Sequence, residues 1–85
     1  MRSELVYDQF LDVRGLNCPL PLLKMKQVLN AMLVGEVIHV ITTDSGSERD
    51  FYSFSEQAGH KILHLEQVSE MGTDCEYRFW LEKGC

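Results

Sequence analysis

The chain reads as an α+β domain: a two-layer sandwich in which a four-stranded mixed sheet carries two helices on one face. Three observations predict it. Four short stretches rich in apolar and β-branched residues read as strands, the last of them strictly alternating. Two longer stretches repeat their apolar residues at helical spacing. The order is β-α-β-α-β-β, and right-handed crossovers then put both helices on the same side of one sheet.

The first strand covers Leu5-Val6-Tyr7 and Phe10 to Val13, with a break at Asp8-Gln9. Gly15 permits the turn that follows. From Pro19 to Leu33, Leu22, Met25, Leu29, Met32 and Leu33 recur at helical spacing, and Val28 widens the stripe. Lys24, Gln27, Asn30 and Ala31 fall on the other side. Leu20 and Leu23 lie off the stripe near the helix start, where they flank Cys18, meet a partner or stand as ordinary exposed leucines. Gly35 suits the C′ position. Val37 to Thr42 is apolar on both faces and reads as the second strand.

Residues Thr43 to Ser47 form a loop. Ser47 with Asp50 three residues on is a capping-box variant opening the second helix. Phe51, Phe54 and Ala58 line one side of that helix, and Gly59 ends it. Lys61 to Val68 is the third strand, Met71 to Asp74 a turn. Glu76 to Glu82 is the fourth strand, antiparallel to the third. With Tyr77, Phe79 and Leu81 facing the core, Trp80 belongs to the open face beside His64 or His39. There it marks either a protein contact or a partly covered surface tryptophan.

Composition narrows the function. Eighty-five residues make one domain, 1–85, with one modest core. Hydrophobic content of 45% and charge of 25% are ordinary for a globular protein. A net charge of −5 argues against nucleic acid or an anionic membrane as the main partner. Cysteines 18, 75 and 85 form no C-x-x-C pair, and no Cys/His cluster has zinc-ligand spacing. Neither metal nor cofactor is expected. Reduced, cytoplasmic thiols are the simpler reading. The opening residues do not resemble a signal peptide, and no apolar run approaches the ~18 residues of a membrane span.

Cys18 stands where the first strand hands over to the first helix. Pro19 fits the first helical position, and Pro21 the third, within the turn whose N–H groups lack intrahelical partners. This leaves Cys18 near the N-cap, facing several free N–H groups and the positive end of the helix dipole. A thiol there ionises more readily than a free cysteine of pKa about 8.5. The alternative is a small buried hydrophobe, the common fate of a free cysteine. The two prolines favour the reactive reading.

Leu11-Asp12-Val13-Arg14-Gly15-Leu16-Asn17-Cys18-Pro19-Leu20-Pro21 resembles the opening signature of the TusA/SirA-like family of small sulfur-transfer proteins, whose hallmark is C-P-x-P. Gly35-Glu36, the stretch Thr43 to Asp50, the Gly59-His60 pair and the strand from Tyr77 to Lys83 are also similar, so the likeness covers about 10–84. It implies a sulfur carrier, a sulfurtransferase-type protein working with partner enzymes. Cys18 would take a sulfane sulfur from a protein donor of cysteine desulfurase or rhodanese type, hold it as a persulfide, and pass it to an acceptor of DsrE or similar type. Asp44 and Asp50 match the family's acidic loop positions, and they read equally as turn and cap residues. Ser45 replaces a frequent proline. Ser55 stands where many members carry a second cysteine, which leaves a single-cysteine carrier.

Pro21 occupies the place of the resolving cysteine in a C-x-x-C protein, so no internal disulfide closes at that spacing. Arg14 either adds positive charge near Cys18 or is a solvated surface arginine. Cys75 and Cys85 are expected to be bystanders. A different class stays open: a regulatory or adaptor domain binding through the sheet face around Trp80, which would tolerate Cys18→Ser. A thiol-disulfide oxidoreductase is disfavoured by the missing C-x-x-C.

Overall fold

The computed structural model describes residues 6–17, 19–69 and 75–84. Among these, the elements follow the order β1 (Gln9–Asp12), α1 (Leu20–Asn30), β2 (Val37–Thr42), α2 (Ser47–Ala58), β3 (Lys61–Val68) and β4 (Glu76–Glu82). The four strands form one mixed sheet in the order β1-β2-β4-β3. β1 pairs parallel with β2, and β4 pairs antiparallel with both β2 and β3. The last strand is thus inserted between β2 and β3, and the α2 crossover spans it.

Both helices cover the same face. Met25 and Leu29 of α1 and Phe51 of α2 share one core with Ile38 and Val40 of β2 and Tyr77, Phe79 and Leu81 of β4. Phe51 and Phe79 meet in a tilted pair with ring centroids 4.6 Å apart. The predicted alternation of β4 therefore holds. Its other parity turns to the open face, where one rung crosses all four strands: Phe10, His39, Trp80 and His64. Trp80 stacks on His39 at 4.1 Å and lies 5.3 Å from the His64 ring. These neighbours leave it buried. Beneath the stack, His39 Nδ1 donates to the Phe79 carbonyl over 3.0 Å.

Four expectations change. Val6 and Tyr7 lie outside the ladder, because the Asp8 carboxylate accepts the Val37 N–H that a strand carbonyl would otherwise take; Leu5 lies outside the described residues. Helix α1 stops at Asn30 rather than reaching Leu33, which is 72% exposed. Lys83, arriving at the end of β4, donates to the carbonyls of Leu29 and Met32 and closes the helix there. Gly35 is therefore no C′ residue. It sits at φ +93° in the turn Leu33–Glu36, closed by Glu36 N–H on Leu33 O. Ser47 is the first helical residue of α2 behind an N-cap at Gly46, and no capping box forms. Gly59 does terminate α2 in the left-handed conformation. The turn expected at Met71 to Asp74 lies outside the described residues.

Candidate functional site

The site is built at the carboxyl ends of the parallel strands β1 and β2, where two loops meet. In the first, Val13, Arg14, Gly15 and Leu16 make a turn closed by Leu16 N–H on Val13 O, with Gly15 at φ +85° in its third position. Val13 N–H donates to Ile41 O, which extends the β1–β2 pairing one residue into the loop. Gly15 N–H donates to Thr43 Oγ1 over 2.9 Å and ties this loop to the second one. Thr43→Val deletes that acceptor but keeps the shape of the side chain. A loss of about 0.5–1.5 kcal/mol is expected, with faster amide exchange at Gly15, whereas Thr43→Ser should exchange like the wild type. An unchanged Gly15 rate in Thr43→Val would rule the tie out.

Cys18 itself lies outside the described residues, so the structure does not bear on its environment. Its neighbours Asn17 and Pro19 are both exposed. Helix α1 begins at Leu20, two residues past Cys18, with Pro19 at the N-cap and Pro21 in the first turn. The prolines thus start the helix without breaking it, one position later than the sequence predicts. The supply of free donors is smaller than expected. Pro19 and Pro21 have no N–H, and Leu20 donates to Asn17 O. The aligned dipole of the helix acts at the same end. No acidic residue in the first turn and no side-chain cap opposes it. Pro21 is buried, whereas Leu20 and Leu23 are exposed, off the buried stripe as expected.

Arg14 is committed elsewhere. Its Nε and Nη2 donate to Asp12 at 3.0 and 2.8 Å, and its Nη1 to Glu76 at 3.1 Å. Arg78 Nη2 completes the chain on the other Glu76 oxygen. Hydrogen bonds to Arg14 first of all hold the Asp12 and Glu76 carboxyls below the usual range, and those bonds raise the guanidinium in turn. The arginine is a surface residue, but one clamped across β1 and β4. Depressed carboxylates contribute stability above the ordinary carboxylate pKa and lose it as pH falls through their folded values. Wild type and Arg14→Gln should therefore differ in urea midpoint near neutrality and converge in acid, once the pH has fallen below the lowered folded values. The difference should be small for a solvent-exposed network. A gap that persists in acid would assign Arg14 a role other than ion pairing.

Asp44 is a turn residue. Its main-chain carbonyl and its Oδ2 take the N–H and hydroxyl of Ser47, and its own N–H donates to Thr42 Oγ1. Asp50 is half-buried in the first turn of α2, where a carboxylate complements the helix dipole. Residues that local sequence reasoning missed are Thr43 and Glu76. Their partners lie 28 and 62 positions away, so no local pattern signals them. Cys75 is half-buried just before β4, beside the core. Burial first of all, and then the neighbouring Cys75, push the Tyr77 phenol up. Among the described residues no group of side chains has the makings of a metal site, and no helix is long and apolar enough to cross a membrane.

Comparison with known proteins identifies the family of the chain. The family described as Sulfurtransferase TusA matches residues 9–83. The sulfur carrier protein TusA of Allochromatium vinosum is 51% identical over 61 residues, covering 72% of this chain and 80% of that protein. The sulfur carrier protein TusA of Pseudomonas entomophila is 36% identical over 95% of each chain. A SirA-like protein from Desulfitobacterium hafniense shares the fold, with a TM-score of 0.64 at 20% identity, over 86% of this chain and 96% of that one. With a family match along nearly its whole length and relatives of 36–51% identity, the chain belongs to the TusA/SirA-like sulfur-carrier family.

Proposed function

We propose that this protein carries sulfur as a persulfide on Cys18, receiving it from one protein and relaying it to another. The observation that carries the reading is the Cys18-Pro19-Leu20-Pro21 start of α1 within a match to the family that spans 9–83. The chemistry supports it. A carrier needs a nucleophilic thiolate and a stabilised sulfur anion, and a helix start without an opposing acid favours both. Pro21 keeps a resolving thiol out of the first turn. Ser55, buried on α2, offers no second thiol at that position.

The donor fits a cysteine desulfurase or rhodanese type and the acceptor a DsrE-like or similar protein, acting with this single-domain carrier in the cytoplasm. An acidic chain suits protein partners better than direct contact with nucleic acid. The test is an intact mass after reduced protein is incubated with a cysteine desulfurase and cysteine, or with a rhodanese and thiosulfate. One added sulfur atom, removable by dithiothreitol and mapped to the peptide holding Cys18, is expected. If several unrelated donors leave the protein unmodified, the proposal fails.

A further inference from the structure

A cleft of about 360 Å³ opens between the second half of α1 and the end of α2, away from the Cys18 end of α1. Its walls hold Lys26, Asn30, His60 and Lys83 around an apolar floor of Leu29 and Phe54. The Lys26 ammonium stands 5.2 Å from the centre of the Phe54 ring, and the His60 ring 5.4 Å from it. Lys83 Nζ spends two of its three N–H bonds on Leu29 O and Met32 O, at 2.7 and 2.8 Å. Those bonds neutralise the carbonyl end of α1 and leave one N–H of the ammonium over. His60 Nδ1 accepts the Gly84 N–H, so the proton of the neutral ring is on Nε2 and the ring remains a donor. Gly84 lies so close to the Gly59 backbone that no side chain fits between them, which fixes the chain beside His60.

The charge of this cleft runs against that of the protein. Acids outnumber bases by 13 to 8 in the chain, yet no described lining residue is acidic. Arg14 and Arg78 are paired with carboxylates, whereas neither Lys26 nor Lys83 forms an ion pair with a described carboxylate. Burial and the Lys83 charge hold His60 below its usual pKa. Positive charge is therefore concentrated here without a described counter-charge. The cleft is within the size range of small-molecule sites, roughly 300–1,000 Å³.

We propose that this cleft binds a small organic oxyanion, a phosphate or carboxylate carried on an apolar or aromatic body. The anion would accept charge-assisted bonds from Lys26, Lys83 and His60, and the body would lie on Phe54 and Leu29. The site is separate from sulfur loading, so it stands or falls independently of Cys18.

The test is an NMR titration of the reduced full chain with phenyl phosphate in one arm and phenylacetate in another, which separates the two anion sources. Phenylacetamide is the neutral control. Saturable shifts at Lys26, Phe54, His60 and Lys83 are expected, with a dissociation constant on the order of 1 mM. The bound anion should raise the His60 pKa, because it offsets the Lys83 charge. Lys26→Gln should weaken binding at least about five-fold, the scale of one lost charge-assisted bond. Lys83 also closes α1, so His60→Gln serves as the second variant and should weaken binding without changing the fold. Cys18→Ser should bind like the wild type. Equal shifts with phenylacetamide, or none with either anion at tens of millimolar, overturn it.

Discussion

Phe79→Ala is expected to destabilise the protein by about 3–5 kcal/mol, the usual cost of emptying a fully buried phenylalanine site. Phe79 has no exposed surface. It sits on β4 opposite Val40 of β2 and Leu65 of β3, and its ring packs on Phe51 of α2. One side chain thus joins the two central strands to a helix. A domain of 85 residues has a net stability of roughly 4–13 kcal/mol, so this single truncation removes much of it. The melting temperature should fall by well over about 10 °C. Phe79→Leu should cost less than Phe79→Ala, because it leaves a smaller cavity in the same site. Leu33→Ala, on an exposed turn, should change stability by no more than about 0.5 kcal/mol. Urea midpoints order the three variants. A Phe79→Ala chain as stable as Leu33→Ala would mean that the core does not hold the sheet to its helices.

Phe79 also shows what was legible in the sequence. The strict alternation of Tyr77, Phe79 and Leu81 with Arg78 and Trp80 assigns both faces of β4 without any structure. Gly59 and the burial of Met25, Leu29 and Phe51 are equally local signals. The place of β4 between β2 and β3 is not local, since strand order is set by pairings across tens of residues. The same holds at the ends of elements. Apolar periodicity carries α1 on to Leu33, but Lys83, more than fifty positions away, stops it at Asn30. At the candidate site, the Cys18-Pro19-Leu20-Pro21 pattern located the helix start to within a residue. Arg14 looked like free positive charge because its partner Glu76 lies on the other side of the sheet order. Ser47 looked like a cap because its spacing to Asp50 fits a capping box, whereas its hydroxyl is taken by Asp44 and Thr42.

Cys18→Ser is expected to abolish sulfur loading, the largest functional effect among the variants considered. A hydroxyl cannot form a persulfide, so the loss should be complete rather than graded. The other thiols provide the control. Cys75 is half-buried against the core, a poor position for attack by a donor protein's sulfur. Cys75→Ser and Cys85→Ser should therefore load one sulfur atom as the wild type does. Iodoacetamide should label Cys18 before Cys75 at neutral pH, with a rate that rises through a depressed thiol pKa. The Arg14 clamp sharpens the test. Because that charge is spent on Asp12 and Glu76, Arg14→Gln should leave the pH midpoint of Cys18 labelling nearly unmoved. Sulfur found on Cys85 in place of Cys18, or a Cys18→Ser chain that still supports transfer to an acceptor, would favour an adaptor that binds through the sheet face around Trp80.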